Sequence, residues 1–340
     1  MHLFITGLNG FIGSQIAEHI LANTPWRLCG IDLSDHRIAH LLGHPRLEFH
    51  HGDFTTSQSL VQDQLSLCDV VIPLAAIPTP KSYVTDPLRV FELDFEANLW
   101  LIRQCFQHRK RLIFPSTSEV YGMCGDDEFS EESSDFVLGP IHKTRWIYSS
   151  SKQLLERLIW SYGREGLEFT IIRPFNWIGP NQDDIHNAEG CSRVITQFIG
   201  NLLRGEPLNL VDGGEQKRSF LDISDGIRAL MLILENREVS RNQIFNIGNP
   251  ANECSIKALA LLVIEKVKPY LNVQALALDQ LVQTTPAKTF YGEGYQDMTR
   301  RVPAIHKIHA ALEWLPSINL ETSVDRIVSF HFSKATPAAN

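Results

Sequence analysis

The segment Gly7-Leu8-Asn9-Gly10-Phe11-Ile12-Gly13 constrains this chain more than any other feature. It stands directly behind the apolar run Leu3–Thr6 and opens the amphipathic stretch Phe11–Ala22. Three glycines at this spacing answer three steric demands. One permits a tight turn, one lets a phosphate approach the backbone, and one lets a helix lie close against a strand. The helix that follows points unpaired N–H groups and a partial positive charge at the turn. A strand, turn and helix in that order form the pyrophosphate-binding half of a dinucleotide fold, with Gly7, Gly10, Phe11, Ile12 and Gly13 as contacts.

The remainder of the first half repeats the pattern. Leu3–Thr6, Arg27–Ile31, Leu47–His50, Val70–Pro73, Arg111–Pro115 and Phe169–Ile172 read as strands. Phe11–Ala22, His36–Leu42, Leu60–Leu65, Leu88–Gln107 and Ile147–Tyr162 read as helices between them. Such alternation predicts an α/β fold with a doubly wound parallel sheet. After Pro174 the pattern loosens into helices at Ser192–Leu203, Ser224–Asn236, Ser255–Val267 and Lys307–Glu313, with short strands at Leu208–Val211 and Ile244–Ile247. The expected division is a dinucleotide-binding Rossmann domain over residues 1–175 that carries the Ser-Tyr-Lys site, a smaller mixed α/β lobe over 176–332 that is mainly substrate-binding, and a flexible tail over 333–340.

Composition narrows the partners. The chain of 340 residues carries a formal net charge of −8, which disfavours nucleic acid. Six scattered cysteines without a CxxC pair predict free thiols in a reducing cytoplasm, with no zinc site or disulfide framework. The histidines, His50, His51 and His142 included, have no metal-ligand spacing, so no metal is expected. No leader precedes the first strand, and no apolar run reaches the ~20 residues that span a bilayer.

Asp32 follows the second strand, 19 residues beyond Gly13. Its carboxylate suits a ribose diol and repels a 2′-phosphate, which favours NAD over NADP. The alternative to this favoured role is an N-cap for the helix expected after it. Asp53 and Phe54 are expected cofactor contacts, Asp53 as an adenine ligand unless it is a turn residue. Leu74-Ala75-Ala76, after the fourth strand, allows close cofactor contact or ordinary packing.

Tyr148 and Lys152 fall four apart on one helix face, where an ammonium can favour a phenolate. A phenol tuned in that way takes a hydroxyl proton while hydride leaves the same carbon. Ser116-Thr117-Ser118-Glu119 closes the fifth strand, at the carboxyl edge where such sheets hold ligands.

These features together resemble the extended short-chain dehydrogenase/reductase family, the NAD-dependent epimerase/dehydratase enzymes of nucleotide sugars. PSTSEVYGM (115–123), RWIYSSSKQLLE (145–156), RPFNWIGP (173–180) and YGEGYQD (291–297) further resemble its ArnA-type UDP-glucuronate decarboxylases. The resemblance implies bound NAD and a UDP-glucuronate substrate that is oxidised at C4 and decarboxylated to UDP-4-keto-pentose. The alternatives are UDP-xylose synthesis by internal re-reduction, or another epimerase or dehydratase reaction. It implies a homo-oligomer, with Tyr148, Lys152, Thr117 and Ser118 catalytic, and with Glu119 as base and Arg301 as acid of the decarboxylation. A guanidinium clamping the carboxylate is the more physical role for Arg301.

Substrate contacts are implied at Pro78, Tyr83, Thr117, Ser118, Arg145, Asn176, Arg218 and Tyr295, and Arg193 suits a diphosphate. Two departures stand out. Pro78 replaces an alanine, and no formyltransferase segment precedes the first strand, so the resemblance places formyl transfer on another protein. Dehydratases of the family carry an Asp-Glu pair where this chain has Ser118-Glu119, so a hydroxyl replaces the acid that assists loss of water.

Overall fold

Each apolar run of the first half becomes a parallel strand: β1 (His2–Thr6), β2 (Arg27–Asp32), β3 (Leu47–His51), β4 (Val70–Pro73), β5 (Arg111–Pro115) and β6 (Phe169–Pro174). The computed structural model describes residues 1–187, 192–271 and 278–335. A seventh strand, β7 (Gln243–Ile247), pairs with β6, giving the order β7-β6-β5-β4-β1-β2-β3. The order reverses between β1 and β4, and the crevice at their carboxyl ends is where a doubly wound sheet takes its ligand.

The inner strands β1, β4, β5 and β6 are largely buried because both faces are covered, whereas the edge strand β3 carries Glu48, His50 and His51. Side-chain alternation sends Leu3 and Ile5 into one core and Phe4 into the other. The first core takes Ile16 and Ile20 from α1 (Phe11–Asn23). The second takes Val61 and Leu65 from α2 (Gln58–Leu67), Leu101 and Ile102 from α3 (Asn98–Gln107), and Leu155 and Ile159 from α4 (Trp146–Arg164). A third core joins Ile195, Phe198, Leu259, Val263, Val324 and Ile327.

The structure departs from the sequence reading in four places. His36–Leu42 holds only a 3-10 turn, Ala39–Leu41. Asn9 Oδ1 accepts from the N–H groups of Arg37 (2.7 Å) and Ile38 (3.3 Å), committing them to the glycine turn. Leu88–Gln107 is interrupted by a π-helical stretch, Glu92–Ala97, where Asn98 Nδ2 donates to the Leu93 carbonyl at 2.9 Å. Residues beyond 175 do not all join a separate lobe. β7, the helix Ile223–Glu235 and Ile308, Leu312 and Trp314 pack into the Rossmann sheet and its first core. The last helix, Leu320–Ala335, includes Ser333, which the composition assigned to the tail. Residues 336–340 and Cys191 lie outside the described residues.

Among the described residues, no helix is long and apolar enough to cross a membrane. Cys29, Cys68, Cys105, Cys124 and Cys254 are free thiols. The fold does gather Cys29, Glu48 and His50, whose ligand atoms lie within 4.8 Å of one another. Glu48 already accepts from His50 at 2.8 Å and from Gln64 at 3.1 Å.

Candidate active site

The glycine turn has no room for side chains. Gly7 adopts φ +76°, and a Cβ there would sit 2.6 Å from Ala75 N. A Cβ on Gly13 would meet the Gly7 carbonyl at 2.6 Å. The α1 N-terminus has no capping side chain and no acidic residue in its first turn, so its amides and partial charge are free to face phosphate. These are the features a dinucleotide demands. Gly7→Ala is therefore expected to weaken NAD binding about tenfold or more, equivalent to about 1.4 kcal/mol. Calorimetric titration measures it, and an unchanged affinity would move the phosphates elsewhere.

Asp32 closes β2 and accepts from Asn9 N at 2.8 Å, joining the second strand to the turn. Burial raises its carboxyl, while the amides of Asn9, Leu33 and Ser34 pull it back. The N-cap alternative falls away, because no α-helix follows it. One oxygen of Asp53 accepts from Thr55 N (2.8 Å) and Thr55 Oγ1 (2.7 Å), a turn-forming role. The Phe54 side chain is buried in the second core. Leu74 N donates to Thr6 O at 2.9 Å, which seats Ala75 against Gly7.

Tyr148 and Lys152 project from α4 and are buried. The Tyr83 ring stacks on Tyr148 with centroids 4.6 Å apart and planes 6° from parallel. Lys152 Nζ lies 5.9 Å from the Tyr148 ring centroid, 3.4 Å from the Pro115 carbonyl oxygen and 3.6 Å from Asp94 Oδ1. The expected lowering of the phenol by the ammonium is not what these surroundings produce. Burial raises Tyr148, and Asp94 and Glu119 raise it further, against a hydrogen bond from Thr117 and the charge of Arg193. Burial likewise lowers Lys152, against the pull of Asp94.

Beside the phenol lies an ionic cluster. Thr117 Oγ1 accepts from Glu119 N at 3.1 Å, starting the 3-10 turn Ser118–Tyr121 and turning Glu119 inward. Glu119 takes Arg145 Nη2 at 2.7 Å on one oxygen and Arg301 Nη1 at 2.5 Å on the other. Burial would raise its carboxyl, but Arg145 and Arg301 overcome that and hold it at about 2. Arg301 Nη2 also reaches Asn176 Oδ1 at 2.8 Å. Arg300 points away, to Glu253 at 2.6 Å and Asp127, so the fold distinguishes the two adjacent arginines.

The segment carrying Tyr291 to Asp297 is strapped to the start of α4. Lys143 Nζ donates to the carbonyls of Glu293 (3.0 Å) and Tyr295 (3.3 Å), and Trp146 Nε1 donates to Gln296 Oε1 at 3.0 Å. The strap brings the Tyr295 ring centroid to 5.4 Å from the Arg145 guanidinium, and the Trp146 ring centroid lies 4.3 Å from the same group. Tyr291 stacks on Tyr295 at 4.1 Å, and Asp297 pairs with Arg218 at 2.5 Å. Arg193 pairs with Asp183, and Pro78 is exposed in the loop after β4.

The sequence reading passed over Asp94, Trp146, Tyr291 and Asp297. The last two stand inside the YGEGYQD motif it had singled out. Asp94 gave no local signal, since its partners lie far along the chain.

Three buried nitrogens of the cluster, Arg145 Nε, Arg145 Nη1 and Arg301 Nε, have no hydrogen-bond acceptor. Unpaired buried donors cost about 1–3 kcal/mol each, and more when charged. These guanidinium nitrogens are therefore left short of acceptors inside the cluster.

A dinucleotide crevice at the sheet reversal, with a Tyr–Lys pair at its carboxyl edge, defines an NAD-linked enzyme of the short-chain dehydrogenase/reductase class. The model of the NAD dependent epimerase/dehydratase family matches residues 3–248, and the chain belongs to that family. The structure is similar to the PbgP3 protein from Burkholderia pseudomallei, with 44% identity, 98% of this chain and 96% of that chain covered, and a TM-score of 0.87. It also shares its fold with a UDP-glucuronic acid 4-epimerase from Bacillus cereus, solved with UDP-glucuronic acid and NAD. There the identity is 24%, coverage is 99% of this chain and 100% of that one, and the TM-score is 0.81. A dTDP-glucose 4,6-dehydratase from Bacillus anthracis, in complex with NAD, has 20% identity, coverage of 97% and 96%, and a TM-score of 0.79.

Proposed function

We propose that this enzyme oxidises UDP-glucuronate at C4 and decarboxylates it to UDP-4-keto-pentose. The observation that carries the reading is the set of unpaired buried guanidinium nitrogens on Arg145 and Arg301, the two arginines that grip Glu119, whose charge Tyr148 feels. A neutral hexose leaves those donors unanswered, whereas a uronate carboxylate accepts from them.

The glycine turn and Asp32 would hold NAD, which when bound in its oxidised form would supply a hydride acceptor. Tyr148 takes the C4 hydroxyl proton as hydride leaves that carbon. The C4 ketone makes the sugar a β-keto acid, so breaking the C5–C6 bond sends its electron pair into an enolate as CO2 departs. Thr117 and Tyr148 hydroxyls stabilise that oxygen by hydrogen bonding, and removal of such a donor typically costs about 10²–10³ in rate. A proton returned to C5 balances the one removed from the hydroxyl. Glu119 is a weak proton acceptor at a pKa of about 2 and serves to anchor the two guanidiniums. The Ser118 hydroxyl, standing where dehydratases have a carboxylic acid, disfavours loss of water.

Incubation with UDP-glucuronate and NAD is expected to release one NADH per CO2, followed as absorbance at about 340 nm, with decarboxylation waiting on the prior oxidation. Formation of UDP-xylose without net NADH would assign internal re-reduction, and UDP-galacturonate without CO2 would assign epimerisation. Either result overturns release of the keto sugar.

A further inference from the structure

Lys152 is only 2% exposed, and a lysine that deep loses its proton unless an anion stays with it. Two carboxylates face it, Asp94 and Glu156. Glu156 is committed elsewhere. It grips Arg173 through both oxygens, at 3.1 and 2.6 Å, and accepts from Ser116 Oγ. Asp94 is wholly buried on the π-helical stretch. Its Oδ2 accepts from Ile77 N at 3.0 Å, and its Oδ1 lies 3.6 Å from Lys152 Nζ. Ile77 belongs to the loop that leaves β4 past Ala75, along the dinucleotide crevice.

We propose that Asp94 is a positioning residue for the proton transfer, the dedicated counter-ion that keeps Lys152 charged and seated beneath Tyr148. The inference rests on the reading of Tyr148 and Lys152 as the acid–base pair. π-helical turns often mark functional positions, and this one brings a buried carboxylate to the amine. Burial and Asp94 act on Lys152 in opposite directions, in keeping with this geometry.

The charged groups around the pair make the test a matter of sign. Asp94 faces Lys152, and its charge is also felt by Tyr83. Tyr148 is faced by Asp94 and Glu119, which raise it, and by Thr117 and Arg193, which lower it. If Lys152 kept its charge without help, removing the Asp94 charge would lower the phenol. If Lys152 needs Asp94, removing that charge discharges the amine and the phenol rises.

Tyr148 ionisation is read in NAD-loaded protein as the absorbance near ~295 nm that Tyr148→Phe removes. Asp94→Asn is nearly isosteric and keeps an oxygen for the Ile77 amide. It is expected to raise the Tyr148 midpoint by about one pH unit or more, and to lower kcat about tenfold with KM for the nucleotide sugar unchanged. In a Lys152→Met background the same substitution is expected to lower the midpoint, because only direct repulsion remains. An unchanged or lowered midpoint in the single variant overturns the proposal.

If Asp94→Asn does not fold, the wild-type protein carries the test. The ¹³Cε resonance of Lys152, assigned by its loss in Lys152→Met, is expected at the ammonium position at about pH 8, and a neutral amine there overturns the proposal. Neither ionisation measurement uses the sugar. Failure of the proposed reaction shows separately, as wild-type protein making no NADH from UDP-glucuronate.

Discussion

Tyr148→Phe is expected to lower kcat by about 10²–10⁴, the range for loss of a positioned acid–base group. The ring is packed face to face on Tyr83 and buried on α4, and phenylalanine preserves both relations. Only the hydroxyl is lost, with its bond to Thr117. NAD affinity and melting temperature are therefore expected to stay close to wild type, so the loss is read as chemistry. Because burial holds the phenol high and the base acts deprotonated, kcat/KM should climb with pH in the wild type. That limb should vanish in the variant. Single-turnover NADH formation across pH measures both effects. A loss under about tenfold would place the proton transfer on another group.

The parts of the site legible in the sequence are those whose physics is local. Gly7, Gly10 and Gly13 answer steric demands within one turn, and Tyr148 and Lys152 are neighbours because a helix repeats every 3.6 residues. Asp32 lies at a strand end, where strand length alone fixes its reach to the glycine turn. The illegible parts depend on pairing across the chain. The helix expected over His36–Leu42 shrinks to the 3-10 turn Ala39–Leu41, and the Arg37 and Ile38 amides at its start are held by Asn9, a partner far back in the chain. β7 was visible as an apolar run, but nothing within Gln243–Ile247 says that its partner is β6. Resemblance assigned Glu119 a proton-transfer role, and nothing local in the sequence shows that Arg145 and Arg301 arrive on its two oxygens. Asp94 read as one more polar residue on a long helix, because the π-helical turn and the facing Lys152 belong to tertiary structure.

Glu119→Gln separates the anchor from the base most sharply. The substitution leaves Arg145, 1% exposed, and Arg301, 6% exposed, without their shared carboxylate. Breaking a buried ion pair from one side typically costs about 3–5 kcal/mol. The amide also turns one acceptor into a donor aimed at a guanidinium. A large drop in melting temperature and in denaturant midpoint is expected together with the loss of turnover, whereas a pure proton acceptor would lose turnover with stability intact. The pH dependence fixes the sign. The folded carboxyl sits at about 2 against an ordinary 4.5, so its stabilising contribution is complete above the higher value and disappears as pH falls through the lower one. That contribution amounts to about 3 kcal/mol. The stability gap between wild type and Glu119→Gln should thus be flat from about pH 5 upward and should close below it. A gap that closed toward alkaline pH, or no gap at all, would mean that the two arginines are held by something other than this carboxylate.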